Sequence, residues 1–249
     1  MLTYRARRVI AADRGGSSWP VLIDTEAGVF FTKLRGAAQA PATLVAEIIV
    51  GQLADALSLS VPARVLIEVP PDLQSDDRHE ELAQLLRFSV GLNLGFEYLS
   101  GAQIFQPSDL GRVDPDLASR IVWLDGLVQN PDRSAKNPNL LWSRNRLWLI
   151  DHGACLGFHH RWSNVTEASP RARGWQPSSH VLRSRAIRLT LVDPAITALL
   201  DRTVLEAAID TVPEEFLAKT GTTARRRRAA YVAFLWKRLK APRLFEHSC

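Results

Sequence analysis

Three oxygen-bearing side chains lie close together in the stretch NPDRSAKNPNLLWSRNRLWLIDHG, which runs from Asn130 to Gly153. Asp132 is followed five residues later by Asn137, and Asp151 stands directly before His-Gly. A carboxylate beside a hydroxyl can accept or orient its proton, and Asn and Asp oxygens are hard ligands suited to Mg²⁺. These residue types together are what phosphoryl transfer requires, because it needs a hydroxyl-orienting carboxylate and metal ligands in one place.

A β-hairpin is predicted to bring the three side chains together. The apolar runs NLLW and LWLI are joined by the polar stretch SRNR, which is the pattern of two strands around a turn. Because a tight hairpin returns the chain to where it left, Asp132 and Asn137 before it and Asp151 after it are expected at one end. Taken alone, Asp132 after Asn-Pro would be interpreted as an ordinary turn residue, and Asp151 as a strand-ending cap.

A cation for nucleotide phosphates is expected at Lys33. The stretch VLIDTEAGVFFTKL predicts a hairpin closed at Gly28, with Phe31 and Lys33 on one face of its second strand. Residues 41–59 have apolar side chains at helical spacing and carry Glu47 off that stripe, where it could hold the Lys33 ammonium. A strand lysine is commonly a surface residue and a helical Glu needs no special reason, so both assignments depend on the rest of the site.

The second half of the chain is predicted to be mostly helical. A helix begins at Asp114-Pro115 and ends at Asn130-Pro131, and Asp125 within it is interpreted as an anchor for the backbone of the following loop. Residues 185–249 are also predicted to be helical, and 161–180 to form a long loop. Local hydrogen bonding is favoured over metal ligation for three histidines, because no HExxH motif accompanies them: His152, His159 and His160.

These segments resemble the HipA-like kinase family. Asp-Arg-Ser-Ala-Lys-Asn at 132–137, followed by LIDHG, is similar to its catalytic loop and metal-binding segment. The segments FTKLRG, LVAEIIVGQLADALSLSVP, GLNLGFEYLSGA and SRIVWLDGLVQNPDRSAKNPNLLW resemble the family in the expected order, over roughly residues 15–160. The Asp-Arg-x-x-x-Asn spacing is shared with lipid kinases of the phosphatidylinositol type.

The resemblance implies an α+β, bilobal protein-kinase-like fold with ATP in its cleft. Residues 1–98 would form a β-rich N-lobe with one main helix, and residues 99–249 a mostly helical C-lobe. The implied cofactors are ATP and Mg²⁺. By position, Asp132 matches the catalytic base, Asn137 and Asp151 match the Mg²⁺ ligands, and Lys33 matches the phosphate-contacting lysine, with Glu47 as its partner.

Nucleotide-binding backbone groups are also implied by the resemblance. The hinge that meets the adenine would consist of Glu97, Tyr98 and Leu99. The loop at 14–20 would cover the phosphates, because its glycines let backbone N–H groups approach oxygen. The residues of this loop that would meet the phosphates are Gly15, Gly16 and Ser17. HipA kinases autophosphorylate a serine in this loop, so the resemblance gives the hypothesis that Ser17 or Ser18 is autophosphorylated.

Three departures from the family pattern bear on activity. Ser134 stands where HipA itself has His, the metal-binding segment reads Asp-His-Gly rather than Asp-Phe-Gly, and the loop at 14–20 is not GxGxxG. The expected function is an ATP- and Mg²⁺-dependent kinase that phosphorylates a hydroxyl, in the first place a Ser or Thr of a protein. The alternatives are a small-molecule or lipid phosphotransferase and a catalytically silent nucleotide-binding scaffold.

Composition sets the remaining limits. With 46% hydrophobic and 23% charged residues, the chain is expected to be folded, soluble and cytoplasmic, without a signal peptide or a membrane span. The two cysteines, Cys155 and Cys249, form no CxxC pair and so predict no thiolate zinc site. The basic tract at 219–243 could meet an anionic partner; a solvated helix face is favoured over nucleic-acid binding, because no base-reading motif accompanies it.

Overall fold

The fold is seen in a computed structural model of the chain. It describes residues 1–12, 19–37, 41–77, 79–172, 175, 177–218 and 222–243. The chain divides into two compact units, one formed by Met1–Leu44 and Pro62–Ser100 and the other by Val45–Val61 and Gly101–Cys249. The predicted α+β class is confirmed, because the first unit is built on a sheet and the second is largely helical. The lobe boundary between residues 98 and 99 stays a prediction.

The first unit is built around a seven-stranded sheet. Up to residue 100 the elements are β1 (Thr3–Arg5), β2 (Arg8–Ala12), β3 (Val21–Thr25), β4 (Gly28–Lys33), α1 (Ala42–Ala56), β5 (Arg64–Val69), β6 (Gln74–Ser75), α2 (Glu80–Phe88) and β7 (Gly91–Glu97). The strand order is β1-β5-β7-β4-β3-β2-β6. The β1–β5 and β2–β6 pairs are parallel and the other neighbours are antiparallel. From Val45 onward, α1 belongs to the second unit.

The hairpin that carries Lys33 is confirmed. Strands β3 and β4 pair from Val21 opposite Thr32 to Thr25 opposite Gly28. The Thr25 hydroxyl accepts from the Ala27 N–H at 3.1 Å and donates to the Gly28 carbonyl at 2.9 Å. Gly28 has a φ of 112°, which a side chain would strain, so this turn requires glycine.

Helix α2 was not predicted from the sequence. Its first turn is acidic and its last turn contains Arg87, which suits the helix dipole. Leu82 and Leu86 lie one turn apart and are buried in the same core cluster as Ile23 and Ile67 from the sheet. Burial of this one apolar stripe is what holds the short helix against the sheet.

The second unit is mainly helical. Its further elements are β8 (Gln103–Ile104), α3 (Pro115–Val128), β9 (Leu140–Ser143), β10 (Arg146–Leu149), α4 (Leu189–Leu199), α5 (Arg202–Asp210), α6 (Glu214–Leu217) and α7 (Ala224–Leu239). A small antiparallel sheet has the order β10-β9-β8. The helical character predicted after residue 185 is confirmed. Within the described ranges, none of the helices is long and apolar enough to cross a bilayer.

Helix α3 is the buried centre of the second unit and leads into the loop with Asp132. The Asp114 carboxylate caps it by accepting from the N–H groups of Asp116 and Leu117, and Pro115 occupies the first helical position, as predicted. Every residue from Ile121 to Val128 is buried, and α3 packs against α4 and α7. The helix ends at Gln129, whose φ of 56° turns the chain out of the helix.

Most cations of the basic tract contact other parts of the protein. Five of them have such contacts: Arg227 with the Trp162 ring, Arg228 with the Val212 carbonyl, Lys237 with Glu167, Arg238 with the Gly126, Leu127 and Pro170 carbonyls, and Arg243 with Asp193. Lys240 lies over the Trp236 ring within the tract itself. Arg225 and Arg226 are exposed at the start of α7. Fewer side chains of the tract are therefore available to a partner than the sequence suggests, and an anionic partner stays a prediction.

A buried histidine that contacts α7 should make stability depend on pH. The His159 Nδ1 lies 2.9 Å from the Tyr231 hydroxyl. Burial, with the nearby charges of His160 and Arg227, lowers the pKa of His159 from 6.5 to about 3. Between these pH values the unfolded chain binds a proton that the native state does not. Acidification should therefore lower the free energy of unfolding by ~1.4 kcal/mol per pH unit over this range.

The variant His159→Gln is expected to remove this contribution, because glutamine keeps a hydrogen-bonding group but does not titrate. Denaturant unfolding of wild type and variant at pH 7.5, 6 and 5 would measure it as a difference in slope. The neighbouring His160→Gln variant is the comparison: burial also lowers the pKa of His160, but this side chain is exposed, so its removal should reduce the slope less than His159→Gln does. Equal slopes for wild type and His159→Gln would contradict the prediction.

Candidate active site

Asp132 and Asn137 meet within the loop that joins α3 to β9. The Asn137 Nδ2 donates to the Asp132 Oδ1 at 2.9 Å. The loop is closed by Ser134, whose N–H donates to the Asn137 carbonyl at 3.0 Å and whose hydroxyl accepts from the Asn137 N–H at 3.2 Å. Because its amide nitrogen is turned to Asp132, the side-chain oxygen of Asn137 points away from that carboxylate and can serve as a hard ligand.

The predicted hairpin is present and places Asp151 beside this loop. Ser143 pairs with Arg146 and Leu140 pairs with Leu149, so the hairpin turns on two residues only. Those residues, Arg144 and Asn145, have φ values of 50° and 57°, which is the geometry of a type I′ turn. The Ile150 N–H then donates to the Asn139 carbonyl at 3.1 Å, which ties the residue before Asp151 to the end of the loop.

Asn139 joins the two parts of the site, and it was not predicted from the sequence. Its Nδ2 donates to the Asp132 carbonyl at 2.5 Å and lies 3.3 Å from the Asp132 Oδ2. Its own carbonyl accepts from Arg133 Nη1 as well as from Ile150. The only available signal was an Asn after Pro at a strand entry, and an Asn there is common in ordinary turns.

A fully buried cluster around Asp125 holds the loop from below. The Asp125 carboxylate accepts from Arg133 Nε at 2.6 Å, His180 Nε2 at 2.9 Å and Asn130 Nδ2 at 2.8 Å. The predicted anchor is thus confirmed, although Asp125 acts through the side chains of Asn130 and Arg133 rather than on the loop backbone. These two residues flank Asp132, which fixes the chain on both sides of it.

The charges in this cluster are balanced. Burial alone would raise the pKa of Asp125, but the charge of Arg133 and the hydrogen bond from His180 outweigh it and hold that pKa well below its usual range. The His180 Nδ1 accepts from the Leu182 N–H at 3.0 Å, so its Nε2 carries the proton that it donates to Asp125. Each polar group of the cluster therefore has a partner suited to its charge.

The segment around residues 175–182 binds the loop backbone from a third side. Trp175 Nε1 donates to the Asn130 carbonyl at 2.8 Å, and the Val181 N–H donates to the Arg133 carbonyl at 2.9 Å. His180 also forms an isolated antiparallel bridge with Ser134. The sequence predicts only a long loop at 161–180, whereas the described parts of this segment form short 3₁₀ turns and hold the backbone around Asp132 in place.

Glu47 lies in the second unit and is buried next to the segment Asp151-His152-Gly153. Its side chain is almost fully buried on α1, and its Oε2 lies 3.4 Å from the His152 Nδ1. His152 directly follows Asp151, so this contact links the end of the hairpin to α1. Across the described ranges, no three His, Cys, Asp or Glu side chains come together as metal ligands, and His152 and His159 have local polar neighbours instead.

In the first unit, Lys33 ends β4 and is not a surface residue. It is only 7% exposed, and its Nζ lies 5.9 Å from the centre of the Phe96 ring. Burial of a lysine is uncommon because its charge is costly to remove from water. The interpretation of Lys33 as an ordinary solvent-facing lysine is therefore wrong.

Of the two predicted nucleotide-binding segments, the hinge at Glu97, Tyr98 and Leu99 lies within the described residues. Glu97 ends β7 and its N–H donates to the Ala63 carbonyl at 2.8 Å. The Tyr98 carbonyl accepts from the Ser100 N–H at 3.1 Å, and the Leu99 side chain is buried. The four residues predicted in the phosphate-covering loop lie outside the described residues: Gly15, Gly16, Ser17 and Ser18.

Comparison with known proteins finds kinases that are similar to this chain. The family model described as HipA-like kinase matches residues 7–241. Among solved structures, the Helicobacter pylori proinflammatory kinase CtkA is similar, with a TM-score of 0.62 and 12% identity, over 97% of this chain and 94% of that chain. No curated protein sequence matches the chain. At this identity the structural likeness concerns the fold, and it confirms the kinase-like fold expected from the sequence.

Proposed function

The chain belongs to the HipA-like kinase family, and we propose that it uses Mg²⁺-ATP to phosphorylate a Ser or Thr hydroxyl of a protein. The observation that carries the proposal is the hydrogen-bonded set of Asp132, Asn137 and Asn139 at the start of a hairpin whose far end leads to Asp151. Membership of the family favours a protein acceptor over a small molecule.

Asp132 is assigned the role of orienting the acceptor hydroxyl and accepting its proton. Each of its carboxylate oxygens faces one amide, that of Asn137 or that of Asn139, so the plane of the carboxylate is fixed. A carboxylate has about four lone-pair positions, so two amide contacts leave room for a hydroxyl. Fixing the base in this way lowers the entropic cost of reaching the reactive geometry.

Asn137 and Asp151 are assigned to Mg²⁺. The donor set fits this ion, because both side chains offer hard oxygen and the Asn137 amide nitrogen is already used by Asp132. Mg²⁺ with few protein ligands keeps waters and phosphate oxygens in its remaining positions. When bound, the ion would neutralise charge that develops on the phosphates during transfer.

Lys33 and Glu47 are assigned to the nucleotide phosphates and to the support of the lysine ammonium. Both are buried, and a buried ammonium or carboxylate is costly unless it is paired or used in function. The Glu97 N–H and the Tyr98 carbonyl already have backbone partners, so the other backbone groups of Glu97, Tyr98 and Leu99 are proposed to meet the adenine. Gly15, Gly16 and Ser17 are proposed to cover the phosphates.

The variant Asp151→Asn tests the metal site without requiring a known acceptor. Wild type is expected to bind ATP at least about tenfold more tightly with Mg²⁺ than with EDTA, a difference of about 1.4 kcal/mol, and the variant should lose most of it. Calorimetric titration with ATP under both conditions measures this. The control is Asp210→Asn, an exposed carboxylate on α5, which should titrate like wild type. An unchanged Mg²⁺ dependence in Asp151→Asn would remove Asp151 from the proposed site.

A further inference from the structure

Asn139 contacts the Asp132 loop through its side chain and the strand end before Asp151 through its carbonyl group. The side chain donates to the Asp132 carbonyl and lies 3.3 Å from the Asp132 Oδ2. The carbonyl accepts from the Ile150 N–H, one residue before Asp151. Rotation of Asp132, or a shift of the loop against the end of β10, would break at least one of these contacts.

The backbone of Asn139 is in the left-handed region, with a φ of 49°. This conformation is unfavourable for residues with a side chain, and Asn is among those that tolerate it best. Asn139 is buried, so neighbouring groups impose this conformation. In it the amide reaches Asp132 while the carbonyl faces Ile150.

We propose that Asn139 is a positioning residue, which fixes the Asp132 carboxylate relative to the strand end that carries Asp151. The proposal rests on the role given to Asp132 under the proposed function. Asn139 acts only through Asp132, so it should affect the reacting geometry more than the binding of ATP. Misplacement of a reactive group by about 1 Å can cost about 10²-fold in rate.

The variants Asn139→Gly and Asn139→Ala separate the side chain from the backbone. Glycine adopts a φ of 49° without strain, whereas alanine does not. If the side chain positions Asp132, both variants should lose about 10- to 100-fold in kcat, with KM for ATP within about twofold of wild type. If Asn139 matters only for its backbone shape, the glycine variant should keep wild-type kcat, and that result would overturn the proposal.

Asn145 provides a matched control. It is an exposed asparagine with a φ of 57° in the hairpin turn, at the end away from Leu140 and Leu149. Asn145→Gly makes the same chemical change in the same backbone region and should keep wild-type kcat. Loss of kcat in Asn145→Gly equal to that in Asn139→Gly would also overturn the proposal.

A third variant keeps the test open if the glycine variant folds poorly. Asn139→Asp retains the size and turn preference of asparagine but presents oxygen to the Asp132 carboxylate, so it should lose at least as much kcat as Asn139→Gly. Wild-type kcat in Asn139→Asp would reject the positioning role. Wild-type kcat in Asp132→Asn would reject the proposed function, and the inference with it. Loss of kcat in Asp132→Asn together with wild-type kcat in Asn139→Gly would reject the inference alone.

Discussion

Replacement of Asp132 by Asn should lower kcat for phosphoryl transfer by about 10²- to 10⁴-fold and leave KM for ATP within about twofold of wild type. The amide is isosteric with the carboxylate, so the loop should keep its shape. It cannot accept a proton, and its nitrogen would face either the Asn137 or the Asn139 amide. Both the proton acceptor and the orientation of the side chain are therefore lost.

The measurement uses labelled ATP, Mg²⁺ and a cell lysate, with separation by gel and by thin-layer chromatography. Label in protein bands with wild type, and its loss with Asp132→Asn, would support a protein acceptor. Label only in small molecules or lipids would move the proposal to that class of phosphotransferase. Asp210→Asn is the control and should transfer label at the wild-type rate.

A different result would support the catalytically silent alternative. In that case wild type should gain thermal stability from ATP, as a ligand of the native state does, without transferring label. Asp132→Asn should then behave like wild type in every assay. The departures at Ser134 and in the Asp-His-Gly segment make this comparison necessary, because both lie within the candidate site.

The parts of the site that the sequence predicts correctly are those set by local chemistry. The Asp114 cap and Pro115 define the start of α3, and two apolar runs around SRNR define the hairpin. Asp132 and Asn137 are five residues apart, so a single loop can bring them together. In each case the deciding contact lies within a few residues, and composition and spacing reveal it.

The partners of Asp125 depend on contacts that are distant along the chain. His180 is 55 residues from Asp125 and comes from a segment without periodicity, so no local pattern indicates the contact. Arg133 did carry a signal, because a carboxylate in the middle of an apolar helix needs a buried cation nearby. The sequence indicated that Asp125 was an anchor but not which residues it holds.

Within the basic tract, residue spacing indicates which arginine is buried. On α7, Arg238 lies four residues after Phe234 and seven after Tyr231, which places it on the apolar face of the helix. The structure buries it there, where it donates to the Gly126 and Leu127 carbonyls at the end of α3, and burial lowers its pKa to about 10. A count of charges along the chain treats this residue like the exposed Arg225 and so overstates the surface charge.

The variant Asp125→Asn is expected to lower the free energy of unfolding by about 3–5 kcal/mol, because it leaves the Arg133 guanidinium buried without its counter-charge. Both side chains of the pair are fully buried, so water cannot compensate for the loss. Arg133 Nε and His180 Nε2 both donate to the Asp125 Oδ2, so an amide oxygen in that place leaves the amide nitrogen facing Asn130 Nδ2, which is also a donor. The midpoint of thermal unfolding should fall by on the order of 10 °C.

Two comparisons decide whether the buried charge is the cause. Asp109→Asn breaks an Asp–Arg pair with the exposed Arg112 and should cost at most about 1 kcal/mol, because an asparagine oxygen can still accept from the Gln106 N–H that Asp109 caps. Because the pKa of Asp125 is depressed, wild type should keep the stabilisation above pH 3.8, the ordinary value, and lose it as the pH falls further. The variant should lack this acid-sensitive part.

If Asp125→Asn unfolds within about 1 kcal/mol of wild type, the cluster does not hold the loop. Since Asn130 and Arg133 flank Asp132, a loss of stability here should come with a loss of kcat.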